Sequence, residues 1–99
     1  MKITEKSNGN HLCISLEGRL DTTTAPELEK VLAGHLEGVT ELTFDMGALD
    51  YLSSAGLRIL LGTQKRMNKQ GSMKVVKVNE TIMEIFEVTG FADILTIEP

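Results

Sequence analysis

The spacing of apolar residues switches repeatedly between two periods along this chain of 99 residues. Between His11 and Glu17, apolar and more polar residues alternate, which is the period of a strand with one buried face. Leu28, Val31, Leu32 and Leu36 recur instead at the three- and four-residue spacing of a helix. Strands that alternate with helices pair in parallel through right-handed crossovers, so this pattern constrains the chain to an α/β fold.

The predicted elements follow from these periods and from turn residues. Asn8-Gly9 favours a hairpin turn because both residues tolerate positive φ, and Thr24 followed by Glu27 predicts a capping box. We predict strands at 2–6, 11–17, 40–45, 73–78 and 94–97, and helices from Thr24 to Gly38, from Ser54 to Gln70 and from Asn79 to Gly90. The resulting order, β-β-α-β-α-β-α-β, predicts one domain over residues 1–99. Its mixed, mostly parallel sheet of about five strands carries three helices, mainly on one face.

Charge and composition exclude several classes of function. The formal net charge is −4 and the basic residues are scattered, so nucleic acid binding is not expected. The start of the chain lacks a signal-peptide pattern, and the longest apolar run, Ile59 to Leu61, is too short to span a bilayer. We therefore expect a cytoplasmic protein without membrane insertion. Cys13 is the only cysteine and is expected to be a buried, inert thiol without a disulfide.

Catalytic and metal-binding patterns are absent from the sequence. No Walker loop or dinucleotide fingerprint occurs, and His11 and His35 are isolated from each other at any standard ligand spacing. We predict no cofactor, no metal, no catalytic residue and no enzymatic activity. A small esterase using Ser54 is an alternative, although Leu52 stands where a nucleophile elbow has glycine. That alternative requires His11 or His35 as a base beside Ser54.

Two serines lie where a strand gives way to a strongly amphipathic helix. Ser53 or Ser54 could cap the free N–H groups of that helix, or could carry a phosphate that these groups and the helix dipole stabilise. An earlier strand ends at Gly18 to Asp21. Because the ends of parallel strands gather at one edge of a sheet, the two segments are expected to be neighbours in a hydroxyl-rich patch with one carboxylate, Asp21.

Three segments of the chain together resemble the STAS domain family, as found in anti-sigma-factor antagonists. Gly18 to Asp21 is similar to the Gly-x-Leu-Asp pattern at the end of the second strand of the family. Ser53 to Leu57 corresponds to its Asp-Ser-[Ser/Thr]-Gly-Leu signature, and Val88 to Phe91 resembles its closing helix turn. The likeness extends over nearly the whole chain, so it implies a STAS domain over residues 1–99.

The resemblance implies a bacterial regulator of transcription that acts by binding another protein. Its expected partner is a serine kinase that is also an anti-sigma factor. The unmodified chain would bind this kinase and release a sigma factor, phosphorylation of Ser54 would end the binding, and a phosphatase would reset the switch. A monomer or weak dimer is expected. The residues implied in partner contact are Asp21, Thr22, Thr23, Ser53, Ser54, Ala55 and Gly56.

One departure from the family signature leaves alternatives open. Ser53 stands where the family has aspartate, and Ala55 stands where it has serine or threonine. Ser53 is therefore the second candidate for the modified residue. The alternative function is that of a STAS interaction subunit in another complex, such as a lipid-transport assembly or a stress-signalling scaffold. In that case the same surface would bind a partner without being phosphorylated.

Overall fold

The computed structural model describes all 99 residues, and its element order is the predicted one. The strands are β1 (Lys2–Asn8), β2 (His11–Leu20), β3 (Glu41–Leu52), β4 (Ser72–Val76) and β5 (Ile97–Glu98). The helices are α1 (Ala25–His35), α2 (Ser54–Gln70) and α3 (Glu80–Thr89), followed by a short 3₁₀ turn at Phe91–Asp93. No helix combines the length and apolarity that crossing a membrane requires.

The five strands form one mixed sheet in the order β1-β2-β3-β4-β5. Only β1 is antiparallel to its neighbour, because a two-residue turn returns the chain from Asn8 to His11. The remaining pairs are parallel, as strands joined through helices require. The predicted fold class is therefore confirmed.

The core lies on one face of the sheet, where apolar residues of neighbouring strands are in register. Ile14 of β2 pairs with Phe44 of β3, which pairs with Val75 of β4, and all three side chains are fully buried. The helices cover this face with residues spaced at one helical turn, namely Leu28, Leu32, Leu57, Leu60, Met67, Ile82 and Phe86. Burial of such side chains, at roughly 1.5–3 kcal/mol each, is the main force that holds the layers together.

The other face of the sheet is polar and open. Cys13 and Ser15 are partly exposed there, and Lys74 is exposed. The prediction that Cys13 is buried is wrong, because its side chain alternates with Leu12 and Ile14 and points away from the helices.

Several further predicted details differ from the structure; for example, β2 continues to Leu20 instead of ending at residue 17, and α1 ends at His35 instead of near Gly38. Thr24 makes no side-chain hydrogen bond that caps α1, so the capping box with Glu27 is wrong. The third strand continues to Leu52 instead of ending at residue 45. The last strand is only Ile97–Glu98, because the 3₁₀ turn at Phe91–Asp93 uses the backbone N–H groups of Ile94 and Leu95.

Candidate functional site

The two predicted loop segments meet at the carboxyl ends of β2 and β3. Leu20 and Leu52 are opposite each other in the parallel ladder, and both side chains are buried. One residue later, the N–H of Ser53 donates to the carbonyl oxygen of Leu20 at 2.9 Å. The start of α2 is thereby fixed to the residue that precedes Asp21.

Asp21 organises the loop before α1. Its Oδ1 accepts hydrogen bonds from the hydroxyl of Thr23 at 2.7 Å, and from the N–H groups of Thr23 and Thr24 at 3.0 and 3.1 Å. The N–H of Asp21 donates in return to Oγ1 of Thr24 at 2.9 Å. Asp21 and Thr24 thus exchange the two side-chain-to-backbone hydrogen bonds that define a capping box. This pair lies three residues before the predicted pair of Thr24 and Glu27.

These hydrogen bonds keep Asp21 ionised. The hydroxyl of Thr23 is the largest cause that lowers the pKa of Asp21, and the N–H groups of Thr24 and Thr23 add to it, so that the pKa falls to about 2. The side chain is nevertheless accessible, with 27% of its surface exposed. The loop therefore presents a fixed negative charge to the solvent at neutral pH.

A contact that sequence reasoning missed links this loop to β3. The guanidinium of Arg19 lies 4.3 Å from the centre of the Tyr51 ring, and its Nε lies 3.6 Å from Oδ2 of Asp21. Arg19 thus holds the only tyrosine of the chain beside the Asp21 loop. The Arg19-x-Asp21 spacing is compatible with the ion pair between these two residues, but it gives no signal for the contact with Tyr51.

The two serines have different surroundings. Ser54 is exposed and is the first residue of α2, whereas Oγ of Ser53 is buried and has no hydrogen-bond partner. The N–H of Leu57 makes the first helical bond, to the carbonyl of Ser53 at 3.0 Å. The N–H groups of the residues before Leu57 therefore face the open end of the helix. The first turn carries no acidic residue, so its positive end is not neutralised by a side chain.

Gly56 and Ala55 contribute to this site in different ways. Gly56 is buried, and a Cβ built on it would lie 2.7 Å from side-chain atoms of both Leu20 and Leu52. Because Gly56 has no side chain, α2 can approach the ends of β2 and β3 closely. Gly56 therefore supports the site from below, and it offers no side chain for the partner contact that the resemblance implies. Ala55 is partly exposed, and Thr22 is exposed.

Two grooves flank the start of α2. The α1–α2 groove, of about 470 Å³, is lined by Thr22, Ala25, Leu32, Ala55, Arg58, Ile59, Arg66 and neighbouring residues. The α2–α3 groove, of about 430 Å³, is lined by Tyr51, Leu52, Ser53, Ser54, Leu57, Thr81, Glu84, Ile85, Val88 and Thr89. Arg58, Arg66 and Glu29 line the first groove, whereas Glu84 is the only charged residue that lines the second. Ser54 thus lies beside a groove with an apolar wall.

Both histidines are engaged away from Ser54. Nε2 of His11 lies 3.0 Å from Oγ1 of Thr43, at the end of the sheet where β2 and β3 begin. Nδ1 of His35 pairs with a carboxylate oxygen of Glu5, on the edge strand. The structure therefore does not bring either histidine to Ser54, as the esterase alternative requires.

Comparison with known sequences agrees with this architecture. A sequence model of the STAS domain matches residues 2–99. A Bordetella bronchiseptica protein, BtrV, whose name assigns it provisionally to the anti-sigma factor antagonists, is 33% identical over 98% of this chain and 85% of its own length. The anti-sigma-B factor antagonist of Bacillus subtilis is 31% identical over 98% of this chain and 90% of its own length.

Solved structures show the same fold. An anti-sigma factor antagonist from Mycobacterium paratuberculosis superposes with a TM-score of 0.89 at 25% identity, covering 99% of this chain and 85% of that one. SpoIIAA shares the fold at 17% identity in its unphosphorylated form and 16% in its phosphorylated form, with TM-scores of 0.82 and 0.76. Each form covers 99% of this chain, and the match spans 89% and 92% of the respective SpoIIAA chains. From its sequence and its fold, this chain belongs to the STAS domain family.

Proposed function

We propose that this chain is an anti-sigma factor antagonist, a binding protein without catalytic activity that is switched off by phosphorylation of Ser54. The observation that carries the proposal is the position of the Ser54 hydroxyl. It is exposed at the first residue of α2, beside the loop that presents the ionised carboxylate of Asp21. The names of the relatives support the binding role.

The proposed binding surface comprises Asp21, Thr22, Thr23, Ser53 and Ser54, and is called here the Asp21–Ser54 surface. Its two loops are joined by the hydrogen bond from Ser53 to Leu20. The Asp21 loop is further fixed by its internal hydrogen bonds. A surface that is already ordered loses little conformational entropy when a partner binds. The unmodified chain would offer it to an anti-sigma factor that is also a serine kinase, and a sigma factor would be released.

The proposed switch is a single phosphoryl transfer. The kinase would move the γ-phosphoryl group of ATP to Oγ of Ser54, which forms an O–P bond, releases ADP and gives up the hydroxyl proton. The phosphate adds about −1.5 to −2 charges. Because it enters at a helix N-terminus that has no acidic residue, the fold should tolerate it. The partner, however, would meet new charge and bulk beside Asp21. A phosphatase would restore the hydroxyl by hydrolysis.

The two serines differ in their suitability for this reaction. Oγ of Ser54 is accessible to a kinase, whereas Oγ of Ser53 is buried against the protein. Modification of Ser53 would require the start of α2 to open first. We therefore assign the modification to Ser54, and Ser53 remains the second candidate.

A capture experiment from a lysate of the source organism tests both parts of the proposal. The baits are wild type, Ser54→Ala, Ser54→Asp and Ser53→Ala. Partner identity is read from ATP-depleted lysate, and the intact mass of each bait is read separately after ATP has been added. We expect wild type, Ser54→Ala and Ser53→Ala to retain an anti-sigma factor with a kinase domain. Ser54→Asp should lose this partner. After ATP has been added, wild type and Ser53→Ala should gain roughly 80 Da, the mass of one phosphoryl group, whereas Ser54→Ala and Ser54→Asp should not.

Two other results of the capture experiment would contradict the proposed function or the assignment of the phosphate to Ser54. If all four baits capture the same partner without a kinase domain, and no phosphate appears, the chain is an interaction subunit of another complex. If phosphate appears on Ser54→Ala but not on Ser53→Ala, the modified residue is Ser53.

A further inference from the structure

The α2–α3 groove combines exposed apolar side chains with one glutamate, as a binding site for another protein would. Its wall is made by exposed Tyr51 and Val88 and by partly buried Ile85, and buried Leu57 forms its floor. Val88 is 81% exposed and Tyr51 is 37% exposed, which makes them two of the three large apolar residues that remain open to solvent. Because exposed apolar side chains that share one groove gain free energy when they are covered, this groove favours a binding partner.

The charged residues of the helix α3, which forms one side of the groove, are all acidic. The helix α3 contains Glu80, Glu84 and Glu87 and no lysine or arginine, and none of the three glutamates forms an ion pair within the chain. Glu84 lines the groove itself. The complement of this groove is therefore an aliphatic side chain next to a lysine or arginine.

The groove is continuous with the Asp21–Ser54 surface. Ser53 and Ser54 lie on its rim, and Tyr51 on its wall is stacked by Arg19, which also contacts Asp21. An occupant of the groove would pass within reach of the Ser54 hydroxyl. A phosphate on Ser54 would then change the entrance of the groove as well as the surface beside it.

We propose that the α2–α3 groove binds a basic segment of the anti-sigma factor, with one aliphatic side chain seated between Tyr51 and Val88 and a lysine or arginine paired with Glu84. This inference rests on the proposed function, because it names the second contact of the same partner. It adds Tyr51 and Glu84 as contacts, which lie outside the segments that the sequence motifs cover.

Two pairs of variants test the groove without disturbing the core. Val88→Asp is compared with Ile94→Asp, because both replace exposed aliphatic residues and only Val88 lines the groove. Glu84→Lys is compared with Glu87→Lys, because both change the charge of an exposed glutamate on α3 and only Glu84 lines the groove. Circular dichroism of each variant confirms that the fold is retained.

The dissociation constant of each unphosphorylated variant is measured by calorimetry with the purified anti-sigma factor from the capture experiment, at two salt concentrations. We expect Val88→Asp and Glu84→Lys to weaken binding by about tenfold or more, as for central contacts of an interface. Binding by Glu84→Lys should also depend less on salt. Ile94→Asp and Glu87→Lys should stay within about twofold of wild type.

Three outcomes contradict the inference, and they can be told apart. If the groove variants bind as tightly as wild type while Ser54→Asp loses binding, the proposed function stands and the groove is not part of the interface. If wild type binds no anti-sigma factor, the proposed function fails, and the inference fails with it. If sedimentation shows a dimer of wild type that Val88→Asp dissociates, the occupant is a second copy of this chain.

Discussion

The N–H of Ser53 donates to the carbonyl oxygen of Leu20 over 2.9 Å, and this bond joins the start of α2 to the last residue of β2. It ties the segment that carries the Ser54 hydroxyl to the segment that carries the Asp21 carboxylate. The close approach that it needs is possible because Gly56 has no side chain between the helix and the two strands.

Replacement of Gly56 should reveal how tightly α2 is packed there. Because an added Cβ would lie 2.7 Å from Leu20 and Leu52, Gly56→Ala should lower the free energy of unfolding by about 1–3 kcal/mol. Gly62→Ala is the matched control, since Gly62 is an exposed residue of the same helix with no atom within 4 Å of a Cβ. It should raise stability by about 0.5–1 kcal/mol. Urea denaturation of both variants measures the difference, and equal effects would show that the contact at Gly56 relaxes freely.

The ionisation of Asp21 should depend on the hydroxyl of Thr23. Nuclear magnetic resonance titration of wild type should give a pKa of about 2 for Asp21. Thr23→Val removes the hydroxyl with little change in shape, so the pKa should rise towards the ordinary value of roughly 3.9. Thr22→Val is the control, because Thr22 makes no hydrogen bond to Asp21, and it should leave the titration unchanged.

The same pKa predicts how stability depends on pH. The pKa of Asp21 is lower in the folded chain than the roughly 3.9 expected when it is unfolded, so the ionised carboxylate stabilises the fold. This contribution is fully present above about pH 4 and is lost as the pH falls to about 2. Asp21→Asn should therefore unfold with a weaker pH dependence than wild type between these values. An identical pH dependence of both proteins would show that the hydrogen bonds of Asp21 do not favour its ionised form.

Phosphoserine should be tolerated at position 54 and not at position 53. A phosphate on Ser54 meets the positive end of α2 and should change stability by no more than about 1 kcal/mol, in the stabilising direction. A phosphate on Ser53 would have to leave a buried position, so it should lower the melting temperature clearly. Phosphoserine incorporated separately at each position, followed by thermal unfolding, compares the two. A lower melting temperature for the Ser54 form alone would contradict the assignment.

Asn79 should hold the outer wall of the α2–α3 groove in place. Its Oδ1 accepts from the N–H of Ile82 at 2.9 Å, and its Nδ2 donates to the carbonyl of Leu49 at 2.9 Å. Asn79→Ala removes both bonds and should cost about 1–2 kcal/mol, while Asn79→Ser can keep the cap and should cost less. Urea denaturation measures both values. An unchanged midpoint for Asn79→Ala would show that α3 is fixed by its apolar contacts alone.

The periodic parts of the fold could be predicted from the sequence because burial imposes the period. Leu12, Ile14 and Leu16 alternate in a strand that is covered on one face, and Ile82 and Phe86 recur at helical spacing. The segment at Ile94 misled the prediction, because its apolar residues have the composition of a strand. Its backbone instead closes a 3₁₀ turn, which leaves Ile94 exposed.

The details of the site could be predicted only in part, because they depend on contacts between distant segments. The motif residues placed Asp21 and the two serines at one edge of the sheet, and the structure brings those segments together. The contact of Arg19 with Tyr51 depends on an irregular register, in which Gly18 pairs with Leu49 and the next residue pairs with Tyr51. A shift of this kind leaves no periodic trace in the sequence.

The local hydrogen bonds of Thr24 were equally hidden. Its hydroxyl donates to the carbonyl of Arg19 at 2.7 Å, so it serves the end of β2 and the Asp21 loop instead of capping α1. Threonine followed three residues later by glutamate is compatible with both arrangements. The choice between them depends on where the preceding strand ends.

The central claim is that one phosphate on Ser54 abolishes binding to an anti-sigma factor without changing the fold. Calorimetry should compare the unmodified chain with the chain carrying phosphoserine at position 54, each titrated with the purified anti-sigma factor. We predict that the phosphate weakens binding by about a hundredfold or more, or roughly 2.7 kcal/mol, while the circular dichroism spectrum stays the same. Equal dissociation constants for the two forms would contradict the claim.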